Sequence, residues 1–173
     1  MSNNYLLKGT QLLGESRFGA AQDAIFMSQA LRFAEFAYDQ DEVPIGAVVV
    51  SEGGEVIGRG YNQVELQHCQ LAHAESIAIE QATGHMGDWR LDRCWVFVTL
   101  EPCCMCMSLI RLSRCEGVVY GATSPLFGYH LDNIQQSPVY KRGTFVVVNG
   151  ILQQQSSALL QRFFQKKRKN NSD

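Results

Sequence analysis

Three short stretches of this chain are apolar almost without interruption: Ile45-Gly46-Ala47-Val48-Val49-Val50, Trp95-Val96-Phe97-Val98 within residues 94–99, and Gly117-Val118-Val119-Tyr120. Runs of that length, rich in β-branched and aromatic residues, read as buried strands. Around them apolar residues return at helical spacing. Ile25, Phe26, Ala30, Leu31, Ala34, Phe36 and Ala37 do so within residues 23–41, and the pattern resumes over 74–81 and 105–112. Strands alternating with helices predict an α/β fold, a three-layer α/β/α domain around one mixed central sheet.

Local signals place the remaining elements. Glu52-Gly53-Gly54-Glu55 is a turn, so residues 56–58 return as a second strand and form a hairpin with 45–50. Residues 61–71 read as a loop, and the helix from Ala74 is expected to stop before Gly84. Pro102 suits the first turn of a helix. Residues 144–148 read as a short strand, and 152–169 as a helix that turns basic at its end. Residues 1–20 are polar and glycine-dotted without a period, which predicts a flexible extension. A single domain then spans 21–169, with a polar tail at 170–173; a length of 173 residues suits one domain.

Charged residues make up 18% of the chain and the net charge is -2, so overall charge announces no nucleic-acid partner. No apolar run approaches the roughly 20 residues of a membrane span. The first twenty residues lack a long apolar core, so a cytoplasmic protein is expected. In that setting the six cysteines are expected as thiols, and their clustering points to a metal.

The cluster is Pro102-Cys103-Cys104-Met105-Cys106, matched by His73-Ala74-Glu75. Catalytic zinc takes three protein ligands and keeps a fourth position open. Cys103 and Cys106 can present two sulfurs from one helical turn, where the helix dipole favours thiolate. His73 completes the set. Glu75 opens the other helix and, with its side chain leaning toward the helix start, can reach the metal-activated water as a proton carrier. Each residue alone has an ordinary reading: a redox pair or structural zinc half-site, a partly buried histidine, a solvated glutamate. Their joint occurrence at two helix starts argues against all of these. Cys104 is a competing ligand; Cys69, Cys94 and Cys115 read as structural thiols.

His-x-Glu followed by Pro-Cys-x-x-Cys is the zinc deaminase signature. Within that superfamily the chain resembles the bacterial tRNA-specific adenosine deaminases over about residues 23–168. The resemblance rests on Asp41-Glu42-Val43-Pro44-Ile45-Gly46-Ala47-Val48, Gly60-Tyr61-Asn62, Leu71-Ala72-His73-Ala74-Glu75, Trp89-Arg90-Leu91, Val98-Thr99-Leu100-Glu101-Pro102-Cys103 and Leu159-Leu160-Gln161-Arg162-Phe163-Phe164. It implies a cytidine-deaminase-like fold, one Zn2+ per subunit, and hydrolytic attack at C6 of adenine to give inosine at the wobble position of a tRNA anticodon. It further implies that Asn62 hydrogen-bonds the flipped base, that Val43, Ala74 and Leu100 line the pocket, and that the protein is a homodimer whose two subunits both touch the anticodon stem-loop. Without the resemblance, Asn62 reads as a loop-capping residue.

Phe163, Phe164 and Lys167 lie in an aromatic-basic tail suited to unstacked RNA bases and phosphates. The competing reading is a core-facing Phe pair before a solvated tail. One stretch departs from the family: Thr123-Ser124-Pro125-Leu126-Phe127-Gly128 replaces a charged pair and a Gly/Ala-rich loop. Two other functions remain open at this point. One is a free-base or nucleoside deaminase acting on guanine or cytosine; the other is a non-catalytic zinc-stabilised RNA-binding module, for which Glu75 would have no use.

Overall fold

The structure, a computed structural model, describes residues 6–7, 11–131 and 145–170. Among the described residues seven strands form one sheet: β1 (Leu6–Leu7), β2 (Gln11–Leu13), β3 (Gly46–Val50), β4 (Val56–Tyr61), β5 (Trp95–Leu100), β6 (Gly117–Ala122) and β7 (Phe145–Asn149). Their spatial order is β1-β2-β7-β6-β5-β3-β4. β3 runs antiparallel to both neighbours, while β5, β6, β7 and β2 are parallel to one another. The sheet is therefore mixed, as the alternation of patterns predicts.

The α-helices among the described residues are α1 (Ala20–Asp39), the short α2 (Val64–Gln67), α3 (Ala74–Met86), α4 (Cys104–Leu112) and α5 (Gln153–Asn170). The two-residue period of the strands sorts the core into two halves. Ala47, Val49, Val96, Val98, Val118 and Tyr120 face Ala74, Ala78, Ile79 and Ala82 of α3 and Met107 and Ile110 of α4. Val48, Val50, Trp95, Phe97 and Val119 face Phe26, Met27 and Ala30 of α1. The central strands are buried on both faces, which is why they read as continuous apolar runs.

Close helix–sheet contact is bought by glycine at two places on β4. A Cβ on Gly58 would lie 2.1 Å from the Ala78 carbonyl oxygen, and one on Gly60 2.2 Å from that of Ala74. α3 can thus rest directly on the strand, with its first turn fixed against Gly60.

Several boundaries differ from the sequence expectation. α3 continues through Gly84 and ends at Met86, where Gly87 adopts the left-handed conformation (φ 65°) of a helix stop. A glycine inside a helix costs about 1 kcal/mol, which the buried face of α3 offsets. The loop expected over 61–71 contains α2. The N-terminal segment is not wholly a flexible extension. β2 pairs with β7, and Phe18 packs edge-on against Phe26 and Trp95 with ring centroids 5.2 and 6.4 Å apart. Ser16 Oγ donates to the buried Asp23 carboxylate, and Arg17 reaches Glu52 and Glu116. Thr144 of the expected last strand, residues 171–173 of the expected tail, and residues 1–5 and 8–10 lie outside the described residues. Among the described residues no helix is long and apolar enough to cross a membrane.

Candidate metal centre

Because β4, β5 and β6 all run one way, their C-terminal ends share an edge of the sheet with the start of β3. Ligand sites in α/β proteins form at such edges. After β4 the chain passes through α2 and enters α3; after β5 it enters α4. His73 is the residue that begins α3 and Cys103 the one that begins α4, both with extended backbone (ψ 151° and 171°). Neither side chain caps its own helix. Both are left to point outward, toward each other.

His73 Nδ1 lies 3.8 Å from Cys103 Sγ and 3.4 Å from Cys106 Sγ. All three donor atoms fall within 4.8 Å of one another. Tetrahedral zinc, with bonds of about 2.3 Å to sulfur and about 2.0 Å to nitrogen, places such atoms about 3.5 Å apart. The donor set and its spacing therefore fit zinc. The other ring nitrogen, Nε2, lies 3.3 Å from the Gln70 amide. Were Nδ1 to hold the metal, Nε2 would carry the proton, and a half-turn of the Gln70 amide would present its oxygen as acceptor. Cys104 is exposed and Cys69 half-buried; the ligand cluster contains neither.

The protonation pattern follows from this crowding. A hydrogen bond from Cys106 and another from His73 pull the Cys103 thiol down to about 4. Cys106 moves upward, because it is the partner that keeps the proton and because it is buried. The thiolate beside it raises His73. A doubly charged cation held by His73, Cys103 and Cys106 would replace these shared protons, and both sulfurs would then ligate as thiolates.

Glu75 is 4% exposed, lies in the first turn of α3, and touches the Cys106 thiol. Burial pushes its carboxyl up to about 7. A nearby cation acts in the opposite sense and favours the ionised form. A carboxyl held between these influences can exchange a proton near neutral pH.

The other expected site residues are distributed unequally. Val43 precedes β3 and Leu100 ends β5, both half-buried at the same sheet edge. Ala74 is fully buried behind His73, with its carbonyl against Gly60. Asn62, 6% exposed, follows β4 and donates from Nδ2 to the buried Glu42 carboxylate at 3.0 Å.

The loop that departs from the family pattern is firmly held. Buried Glu101 accepts the Ser124 N–H at 3.0 Å through Oε2, and through Oε1 the His130 N–H at 3.3 Å and its Nδ1 at 2.6 Å. Leu126 and Phe127 stand exposed at its tip. Sequence patterns single out neither Glu42, Glu101 nor Gln70. Glu42 and Glu101 act through contacts 20 to 29 residues away in the chain, a spacing no short motif records, and Gln70 is three residues from His73 but belongs to no metal motif.

The C-terminal residues require a correction. Phe163 is 3% exposed and packs edge-on against Tyr38 of α1, so it is a core anchor of α5 and offers no face to an RNA base. Lys167 Nζ is paired with Asp41 at 2.6 Å. Phe164 remains exposed. All three lie on the face of the sheet opposite α3 and α4. Beside them Tyr38, Arg162, Gln165, Lys166, Lys169 and Asn170 line a shallow basic groove.

Comparison with known proteins agrees with this arrangement. The family model described as the cytidine and deoxycytidylate deaminase zinc-binding region matches residues 20–122. A tRNA-specific adenosine deaminase of Bacillus subtilis is 41% identical over 135 residues, covering 77% of this chain and 83% of that protein. One from Streptococcus pyogenes serotype M18 is 43% identical over 111 residues, covering 64% and 69%. A solved structure from studies of A-to-I editing by tRNA:A34 deaminases at the wobble position superposes with a TM-score of 0.72 at 36% identity, covering 79% of this chain and 99% of that one. The chain belongs to the cytidine and deoxycytidylate deaminase zinc-binding family and, within it, to the tRNA-specific adenosine deaminases.

Proposed function

We propose that this protein hydrolytically deaminates adenosine to inosine at the wobble position of a tRNA anticodon. The observation that carries the reading is the convergence of His73, Cys103 and Cys106 with the buried Glu75 at one sheet edge, in a chain 41% identical over 135 residues to a tRNA-specific adenosine deaminase.

His73, Cys103 and Cys106 would hold the zinc ion. Bound there, zinc supplies an open position at which water becomes a nucleophile near neutral pH. Glu75 takes one proton from the attacking water and delivers it to the ring nitrogen of adenine, then takes the second from the hydroxyl now carried by C6 and gives it to the departing amine, so that ammonia leaves and the carbonyl of inosine remains. The burial of Glu75 suits it to both halves of this exchange. Asn62 hydrogen-bonds the flipped base, and Val43, Ala74 and Leu100 form the apolar walls. The exposed Leu126–Phe127 tip and Phe164 are surfaces for flanking nucleotides, and the groove containing Arg162, Lys166 and Lys169 takes phosphates. A cytoplasmic homodimer completes the reading. Exposed Leu66 in α2 and Leu71 just before α3 support a surface there covered by a second copy.

The test is incubation of the zinc-loaded protein with an anticodon stem-loop carrying adenosine at the wobble position, alongside free guanine and cytosine. Inosine formed only in the stem-loop is the expected result. Deamination of a free base with the stem-loop untouched refutes it.

A further inference from the structure

We infer that Glu42 is a positioning residue for base recognition: it fixes the orientation of the Asn62 side-chain amide. The inference rests on the reading of Asn62 as the residue that meets the target base.

Glu42 is 1% exposed and lies just before β3. Its Oε2 accepts from Asn62 Nδ2 at 3.0 Å, and its Oε1 accepts the backbone N–H of Leu66 at 2.6 Å. Asn62 is held from the other side, its own N–H donating to the Ile45 carbonyl at 2.9 Å. Both oxygens of an ionised carboxylate accept and neither donates. Asn62 must therefore turn its nitrogen, not its oxygen, toward Glu42. An asparagine without such a partner can turn its amide by 180° and exchange donor for acceptor. Here that freedom is removed before any substrate arrives. One N–H is committed to Glu42, leaving the second N–H and Oδ1 with a fixed order. Adenine offers a matching acceptor and donor side by side at N7 and N6. The Leu66 contact adds a second restraint. It secures the start of α2, so the segment that follows Asn62 cannot move independently of Glu42.

Glu42→Gln separates this role from simple support. The substitution keeps size and burial but leaves one acceptor where two donors converge. If the Gln oxygen stays on the Leu66 N–H, its NH2 faces Asn62 and forces the amide to turn. The experiment compares kcat and KM on the anticodon stem-loop for wild type, Glu42→Gln, Asn62→Ala and the double variant, with zinc content measured for each. Glu42→Gln is expected to lower kcat/KM about tenfold in the wild-type background, the scale of one hydrogen bond to a charged group. It should lower it less than about twofold once Asn62 is alanine, because coupled residues are non-additive. An equal loss in both backgrounds, or no loss in the first, overturns the inference.

A readout without turnover accompanies it. The Asn62 side-chain amide resonances, identified by their disappearance in Asn62→Ala, should shift in Glu42→Gln; unchanged resonances also overturn the inference. A wild-type protein that fails to deaminate the stem-loop sinks the proposed substrate, while the amide resonances still judge the Glu42–Asn62 contact.

Discussion

Gly60→Ala tests whether the metal centre depends on how closely α3 sits on the sheet. The added Cβ would lie 2.2 Å from the Ala74 carbonyl oxygen, 2.8 Å from Ala78 N and 3.0 Å from Ile77 Cβ. Two of these three atoms are helix backbone, which cannot swing aside as a side-chain tip can. The shortest contact falls 0.8 Å below the 3.0 Å that Cβ atoms respect, so the first turn of α3 must move outward by about that amount. His73 immediately precedes that turn, and its Nδ1 now sits 3.4 and 3.8 Å from the two sulfurs. A displacement near 1 Å removes a nitrogen from a coordination sphere whose bonds tolerate about 0.2 Å. Overpacking of this kind costs about 1–3 kcal/mol, or roughly 2–12 °C of melting temperature at about 2–4 °C per kcal/mol for a chain of this size. The expected outcome is a folded protein of lower melting temperature with a large loss of zinc by elemental analysis and of deamination. Gly84→Ala is the control, since a Cβ there meets nothing within 4 Å and the site lies inside a helix. Gly60→Ala with wild-type zinc content and melting temperature refutes the argument that this glycine sets the position of His73.

Three further outcomes follow from the geometry. Glu75→Gln keeps the shape of the buried carboxyl but cannot carry the proton; deamination should fall at least 100-fold, within the range for general acid–base catalysis, with zinc content unchanged, and retained turnover removes Glu75 from the mechanism. After zinc is removed by chelation, Cys103, held down to about 4, is a thiolate at every pH above that value, so it should be alkylated at pH 6 while Cys115, raised by burial, is not; mass spectrometry showing Cys103 labelling only above pH 8 contradicts the assignment, and in zinc-loaded protein Cys103 should resist labelling at both pH values. Phe163→Ala opens a void between α5 and Tyr38 and should cost about 3 kcal/mol or more, whereas the exposed Phe164→Ala costs much less; the reverse order of melting temperatures would restore Phe163 as a surface residue.

The sequence made the chemistry more legible than the supports around it. His73, Glu75, Cys103 and Cys106 could be read because zinc demands particular atoms at short spacings, and those spacings survive in the linear order. The three apolar runs announced strands because the sheet is covered on both faces. What stayed hidden depends on distance in the chain. Glu42 meets Asn62 and Leu66, twenty and twenty-four residues on, and Glu101 organises Ser124 and His130; taken alone, each is simply an acid near a strand. α2 was missed because four residues are too few to establish a period. Gly84 was misread as a helix stop because the residue that adopts the left-handed conformation is Gly87. Phe163 and Phe164 are neighbours in sequence but point about 100° apart around a helix, so one is core and the other surface.

The two helix starts show why the site can be recognised at all. A helix normally begins with Ser, Thr, Asp or Asn, whose side chain satisfies a free backbone N–H and contributes about 0.5–2 kcal/mol over a residue that cannot. α3 begins at His73 and α4 at Cys103, and neither makes a side-chain cap. Locally both are poor choices. Their first-turn N–H groups remain uncapped by these side chains, and the positive ends of both helices face the same small volume. That field favours thiolate at Cys103 and Cys106 and carboxylate at Glu75, the protonation states that zinc binding and proton abstraction require. A Ser or Asp at either position would make a better helix end and a worse metal site. Where a chain departs from local preference twice, at two ends brought to one edge of a sheet, the compensation lies in the chemistry between them.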